Sequence, residues 1–389
     1  MRSVAVIGGS LSGLHAVRAL RDQGYDGRIT VIGEETHLPY DRPPLSKRFL
    51  TEEKEPAPEG LLEPEDEDTL DVEWILGERA AHLDPRAREV TLTGGRPVRA
   101  DGFVLATGAA ARTLPGSTGR PPRGVHTLRT LDDAVALRAD LHAGPRRVVV
   151  IGAGFIGAEV ASSCRGLGHD VTVVEAAAMP LLPQLGAEMA AALAALHGLR
   201  GTRLLCGAGV VALRGATRVE SVELSDGRTL PAEVVVVGIG VTPRTDWLAG
   251  SGLAVDDGVL CDAGCVTGAP HVVAVGDVAR VHRPELDAHV RAEHWTSAVE
   301  QPAVAVRNLL AGRTVDTYTG RPYFWSDQYG VRVQFAGRRA PTDTVRVLEG
   351  EPARGDFLAV YERDGRTTAV LSVNRPRPFT RLRRELARA

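Results

Sequence analysis

Apolar and polar positions alternate between two recurring patterns. A continuous apolar run, Val4-Ala5-Val6-Ile7, enters a cluster of small residues, Gly8-Gly9-Ser10-Leu11-Ser12-Gly13, and then a helical stretch. A second apolar run at Arg28–Gly33 ends in an acid, Glu34. The same order returns at Val148-Val149-Val150-Ile151, Gly152-Ala153-Gly154-Phe155-Ile156-Gly157 and, after another apolar run, Glu175. Each set predicts a strand, a tight glycine turn, a helix and a second strand. Such a turn lets backbone N–H groups and a helix N-terminus approach a pyrophosphate. The acid after the next strand stands where it can accept ribose hydroxyls. Two sets in one chain predict two bound dinucleotides. The second keeps all three glycines. In the first, Ser10 replaces the middle one; serine is small enough to keep the turn but narrows the room for a phosphate.

The pattern also predicts how the pieces nest. A polar, proline-rich stretch runs from Glu34 to about Asp71 and contains the acidic run Glu63–Asp68, a solvated loop or helix face. Strands are expected at Val72–Leu76, Glu89–Leu92 and from Gly102, and a helix over Thr130–His142. More strands are expected at Val171–Val174, Leu204–Cys206, Ser221–Leu224 and Glu233–Val237. Val272–Gly276 is another apolar strand, with Asp277 at its carboxyl end, where open α/β sheets bind ligands. The chain therefore returns to its first domain after about residue 240. From about Thr314 short alternating runs (Val331–Phe335, Phe357–Tyr361, Thr367–Val373) predict antiparallel strands. The expected fold class is α/β, with two Rossmann-like dinucleotide-binding domains, the second inserted in the first, plus a small C-terminal α+β domain with an antiparallel sheet. The expected divisions are 1–110 with 240–313, 111–239, and 314–389.

Composition narrows the chemistry. The 389 residues suit two or three domains, and 43 glycines suit a turn-rich α/β protein. A net charge of −3 gives no general attraction to nucleic acid or to an anionic membrane surface. Lys47 and Lys54 are the two lysines, and arginine supplies the other positive charge. No run approaches the roughly 20 apolar residues of a bilayer span, and the opening reads as a strand rather than a secretory signal, so a cytoplasmic protein is expected. The four cysteines (Cys164, Cys206, Cys261, Cys265) form no C-x-x-C, so neither a redox dithiol nor a zinc knuckle is expected, and no metal. Glu175 argues for NADH over NADPH. A carboxylate accepts from a 2′-hydroxyl and repels a 2′-phosphate, and Ala176-Ala177-Ala178 bring no arginine to offset it.

From about residue 3 to about 340 the chain resembles the FAD-dependent NADH:ferredoxin reductases, the reductase components of bacterial monooxygenase and dioxygenase systems. The most specific strings are Leu38-Pro-Tyr-Asp-Arg-Pro-Pro-Leu-Ser-Lys47 and Tyr323-Phe-Trp-Ser-Asp-Gln328. Leu105-Ala-Thr-Gly-Ala109, Leu128–Asp133, Val237-Gly-Ile-Gly-Val-Thr-Pro243, Val275-Gly-Asp277 and His294-Trp295 extend the likeness. The resemblance implies that Gly8, Ser10, Leu11, Ser12 and Gly13 hold the FAD pyrophosphate and Glu34 its adenosine ribose. It sets Arg42, Lys47 and Arg129 along the FAD, Ala80 at the adenine, and Asp277 on the ribityl chain, with Thr107 and Gly108 as further cofactor-binding residues. Trp295 would start a helix whose N-terminus points at the flavin's pyrimidine edge and stabilises the negative charge that reduction places there. Gly152, Gly154, Phe155, Ile156, Gly157 and Glu175 would serve the pyridine nucleotide, and Gly240 would be a further cofactor-binding residue. Glu159 would approach the nicotinamide and pair with Lys47 beside the flavin, and Trp325 would face the electron acceptor.

The implied activity is hydride transfer from NADH to FAD, then single electrons to a [2Fe–2S] ferredoxin that feeds an oxygenase. An acidic ferredoxin calls for a basic surface. Arg338-Arg339 and the arginine-rich tail (Arg375, Arg377, Arg381, Arg383, Arg384, Arg388) are the candidates. The expected assembly is a monomer or homodimer. Two other readings keep both cofactors. One passes electrons to a quinone, oxygen or a small molecule; the other is an NADH-sensing interaction flavoprotein resembling the apoptosis-inducing factors.

Overall fold

Val4, Val6 and Ile7 are buried on both faces of their strand, which is why the run reads as continuously apolar. The strand Ser3–Ile7 is the centre of a five-stranded parallel sheet in a computed structural model that describes residues 1–115 and 121–388, and of residues 67, 68 and 388 the backbone only. On one side of it lie Arg28–Gly33 and then Val72–Leu76; on the other lie Gly102–Leu105 and then Val272–Ala274. In register, Val6 stands between Val31 and Val104. The order therefore reverses at Ser3–Ile7 and Gly102–Leu105, and open α/β sheets bind ligands at such a reversal. Helices Leu11–Asp22 and Trp295–Ala311 belong to this unit, which comprises residues 1–41, 59–110 and 242–322.

The second unit comprises residues 42–58, 111–241 and 323–389. Its parallel sheet has the order Arg203–Cys206, Asp170–Glu175, Arg147–Ile151, Val234–Val237, Val125–His126. Here the reversal lies between Arg147–Ile151 and Val234–Val237. The helix Phe155–Gly166 follows the central strand. A five-stranded antiparallel sheet completes the unit: Tyr323–Gln328, Val331–Gly337, Arg366–Val373, Asp356–Arg363, Thr344–Glu351. It begins at Tyr323, and residues 314–322 cluster with the first unit.

Two long helices lie outside the sequence expectations. Leu182–Leu199 bends at Gly186, whose φ is 74°. The arginine-rich tail is the helix Pro376–Arg388, anchored by buried Phe379 and Leu386. The acidic run forms the helix Pro64–Leu70, opened by a capping box between Glu63 and Asp66. Among the described residues no helix is long and apolar enough to cross a membrane.

Candidate active site

The two glycine turns have the same internal mechanics. At Gly8 φ is +127°, and a Cβ there would lie 2.1 Å from the Ala106 carbonyl oxygen. A Cβ at Gly13 would lie 1.9 Å from the Gly8 oxygen. The second turn repeats this: Gly152 has φ +99°, with its absent Cβ 2.3 Å from the Gly238 oxygen, and Gly157 sits 2.0 Å from the Gly152 oxygen by the same measure. Backbone meets backbone at both pairs, so side chains are excluded.

The middle position makes no such demand. A Cβ at Gly154 would meet nothing within 4 Å. Ser10, its counterpart, has ordinary extended backbone (φ −128°) and does not use its side chain to cap the following helix. The serine thus needs no left-handed or otherwise strained backbone. Neither helix carries an acid in its first turn, so both N-termini suit an anion. Glu159 opens the second turn of its helix, one step deeper than its place just after Gly157 suggests.

In the first unit Glu34 follows its strand directly and pairs with the Arg244 guanidinium at 2.5 Å and with Arg79 at 4.0 Å. The Arg244 carbonyl accepts from the Thr107 hydroxyl (3.0 Å) and the Trp247 indole (3.1 Å), and its N–H donates to the Gly108 carbonyl. Sequence reading missed Arg244, although it directly follows the Val-Thr-Pro string. Gly276 has φ +71°, and a Cβ there would meet the Ser12 hydroxyl at 2.3 Å. The Gly276-Asp277 turn is therefore beside the first fingerprint helix. Gln301 accepts the Gly276 N–H at 2.8 Å and holds that turn. Trp295 begins its helix, and its indole N–H donates to Asp41 at 3.0 Å. Ala80 is buried at the start of the strand Ala80–Asp84.

In the second unit Glu175 is held by two backbone donors: Ala153 N–H to Oε2 and Ala177 N–H to Oε1, both 2.9 Å. Each oxygen keeps a lone pair for a ribose hydroxyl. The Phe155 ring packs on Phe324 with centroids 4.5 Å apart, and Ile156 is exposed. The Gly240 carbonyl accepts from the Arg112 N–H at 3.0 Å.

The densest polar cluster surrounds Glu159, which is 3% exposed. Its Oε2 accepts from Lys47 Nζ (2.7 Å) and the Ser46 hydroxyl (2.5 Å). Its Oε1 accepts from the Ser326 hydroxyl (2.8 Å) and the Asp327 N–H (3.2 Å). The expected Lys47–Glu159 pair is present, and both serines are additions to it. Lys47 also donates to the Pro43 carbonyl at 2.9 Å. The segment bearing Lys47 is pinned from both sides. Ser163 donates to the Ser46 carbonyl, and buried Arg138 donates to the carbonyls of Phe49, Leu50 and Glu53. Arg42 donates to the Arg129 carbonyl.

Trp325 lies on the strand Tyr323–Gln328, stacked on Tyr323 at 5.9 Å and 27°. Arg332 lies over Trp325 at 5.9 Å, and Arg383 over Tyr323 at 3.8 Å. Of the basic candidates, Arg375 is committed to Asp356 at 2.6 Å, and Arg339 donates to the Pro183 carbonyl. Arg377, Arg381, Arg383 and Arg384 are exposed, while the Arg388 side chain lies outside the described residues.

All four cysteines are free. Burial pushes the Cys164 and Cys261 thiols up to about 12 and Cys265 well above its ordinary value. A thiol held protonated is a poor nucleophile, so these three are packing residues. Among the described residues no group of three or more potential ligands could hold a metal ion.

Residues 2–302 match the family described as pyridine nucleotide-disulphide oxidoreductase, and residues 323–389 match the reductase C-terminal family. The chain is 38% identical to the anthranilate 1,2-dioxygenase system ferredoxin–NAD(+) reductase component of Burkholderia cepacia, over 98% of this chain and 93% of that one. It is 33% identical to putidaredoxin reductase of Pseudomonas putida, over 97% and 90%. Among solved structures, the covalent putidaredoxin reductase–putidaredoxin complex superposes with a TM-score of 0.91 at 32% identity, over 99% and 93% of the two chains. The chain belongs to the pyridine nucleotide-disulphide oxidoreductases and, within them, to the ferredoxin–NAD(+) reductases that carry a reductase C-terminal domain.

Proposed function

We propose that this flavoprotein takes a hydride from NADH onto FAD and passes single electrons to a [2Fe–2S] ferredoxin serving a monooxygenase or dioxygenase. The observation that carries the reading is the pair of glycine turns, each opening an acid-free helix N-terminus, in a chain whose buried thiols offer no electron route of their own. FAD, when bound, supplies what no side chain has, the capacity to take two electrons as a hydride and release them singly.

The side chains bind and orient. Backbone N–H groups from Gly8 to Gly13, Ser10 included, hold the FAD pyrophosphate. Glu34, steadied by Arg244, accepts the adenosine ribose hydroxyls. Asp277 serves the ribityl chain and Ala80 the adenine; Thr107, Gly108, Arg42 and Arg129 border the cofactor. The helix beginning at Trp295 places its positive end toward the charge that reduction creates. Gly152, Gly154, Phe155, Ile156, Gly157 and Gly240 receive NADH. Glu175, fixed by two N–H donors, accepts its ribose hydroxyls and repels a 2′-phosphate. Lys47, oriented by Glu159, is assigned to the flavin side of the transfer, and Trp325 with the neighbouring arginines to the ferredoxin side. The three-part domain division and a cytoplasmic location, where NADH is supplied and four cysteines stay free, are part of the same proposal.

Anaerobic stopped-flow tests it. Rapid bleaching of the bound flavin by NADH and not NADPH, reversed by a [2Fe–2S] ferredoxin, is expected. Protein without bound flavin refutes the role of Gly8–Gly13, and preference for NADPH refutes that of Glu175. Bleaching that no ferredoxin reverses refutes the acceptor.

A further inference from the structure

A carboxylate offers about four lone-pair sites. Glu159 has four donors, two on each oxygen, and is buried. It has no acceptor capacity left for a nicotinamide carboxamide. The residue at the edge of the cluster is Lys47, whose side chain is 23% exposed. Its ammonium is aimed by Glu159 Oε2 and the Pro43 carbonyl. Glu159 can aim it only if its own oxygens are fixed, and Ser326 and the Asp327 N–H fix the far one. Ser326 is fully buried on the strand Tyr323–Gln328, and among the described residues its hydroxyl donates to Glu159 and to no other acceptor.

We propose that Ser326 is a positioning residue for hydride transfer: it saturates Glu159, which then acts as the fixed counter-ion of Lys47 and not as a contact to the nicotinamide. This rests on the assignment of Lys47 to the flavin side of the site.

The test compares Ser326→Ala, Ser326→Cys and Ser372→Ala in the FAD-loaded protein. Ser372 is another fully buried serine of the same sheet, and its hydroxyl accepts from the Arg375 N–H. In Ser326→Ala the limiting rate of flavin reduction by NADH is expected to fall about tenfold, the effect of one hydrogen bond to a charged group. The NADH concentration for half-saturation should stay within about twofold, because bound NADH does not touch Glu159. Ser326→Cys, a weak donor of similar volume, should fall between and carries the test if the alanine variant does not fold. Ser372→Ala should reduce at the wild-type rate.

A second readout needs no turnover. With two lysines in the chain, the ¹⁵N–¹H signal of the Lys47 ammonium is assignable by its loss in Lys47→Met. It should be exchange-protected in the wild type and in Ser372→Ala, and broadened in Ser326→Ala. A wild-type limiting rate in Ser326→Ala, a weakened NADH half-saturation as its main effect, or equal slowing in Ser372→Ala overturns the proposal. Lys47→Met separates the two ideas. If it reduces normally, the Lys47 assignment fails and takes the proposal with it; if it is slow while Ser326→Ala is normal, the proposal alone fails.

Discussion

Replacing Gly157 by alanine tests whether the second glycine turn is a nucleotide site held by backbone contact. The new Cβ would stand 2.0 Å from the Gly152 carbonyl oxygen, about 1.4 Å inside ordinary contact. Neither partner is a flexible side chain, so the helix start at Phe155 must move away from the strand Arg147–Ile151. Such overpacking costs roughly 1–3 kcal/mol. A helix N-terminus displaced by about 1 Å misplaces its ligand enough to cost on the order of 100-fold in rate. The protein should retain stoichiometric FAD, because Gly8 and Gly13 are untouched. Stopped-flow with NADH should show kcat/KM down by about 100-fold, and urea unfolding should show the matching loss of stability. Gly154→Ala is the control. Its Cβ meets nothing, and its φ is −71°, so unfolding stability should hold or rise by roughly 0.4–1 kcal/mol. Normal NADH reduction in Gly157→Ala, or equal destabilisation by Gly154→Ala, would refute the reasoning.

Other residues give independent tests. Glu175→Ala removes an acceptor held by two N–H donors, so the NADH-to-NADPH preference should fall at least about tenfold in steady-state assays; an unchanged ratio places discrimination elsewhere. Arg138→Met removes a donor from the carbonyls of Phe49, Leu50 and Glu53, of which Leu50 keeps His142 Nε2 at 2.9 Å, and should cost about 2–4 kcal/mol in urea unfolding. Faster amide exchange should appear over residues 48–53, and no change there would show that Arg138 does not pin the Lys47 segment. Burial lowers His197 from its ordinary 6.5 to about 4. The unfolded chain therefore binds the extra proton first as pH falls, so the stability is complete above pH 6.5 and is lost toward pH 4. About 2 kcal/mol should be gone at pH 5, and His197→Asn should flatten that slope in unfolding series at pH 7 and pH 5.

Both turns were legible because their demands are local: an apolar strand, glycines forced by carbonyl approach, and a helix within a dozen residues. Ser10 keeps the first turn, as its small size suggested, because its backbone is in the extended region that any residue adopts. The strand Val272–Ala274 was placed in the first sheet from its apolar run and the acid that follows. The cluster around Glu159 was legible only as the Lys47 pair implied by resemblance. Ser46 and Ser326 lie 113 and 167 positions from Glu159, and no periodic signal links them. Leu182–Leu199 was hidden by alanines and leucines on every side, which leave no polar face to give a period. The C-terminal helix did carry a signal, Phe379, Leu382 and Leu386 at spacings of three and four, but the arginines between them drew the reading toward a tail.

The late arrival of Val272–Ala274 bears on how the chain is made. Gly102–Leu105, with Phe103 and Val104 fully buried in the finished protein, gains its outer neighbour only after the whole second fingerprint domain has left the ribosome. At roughly 5–20 residues per second that interval is on the order of 10–30 s. During it the nascent sheet presents an apolar edge with unpaired N–H and C=O groups, the kind of surface that pairs with other chains. The Gly276-Asp277 turn, which follows that strand, does not exist until then. The cofactor site is thus incomplete until more than two-thirds of the chain has been made, and FAD meets a full set of site residues only after that point.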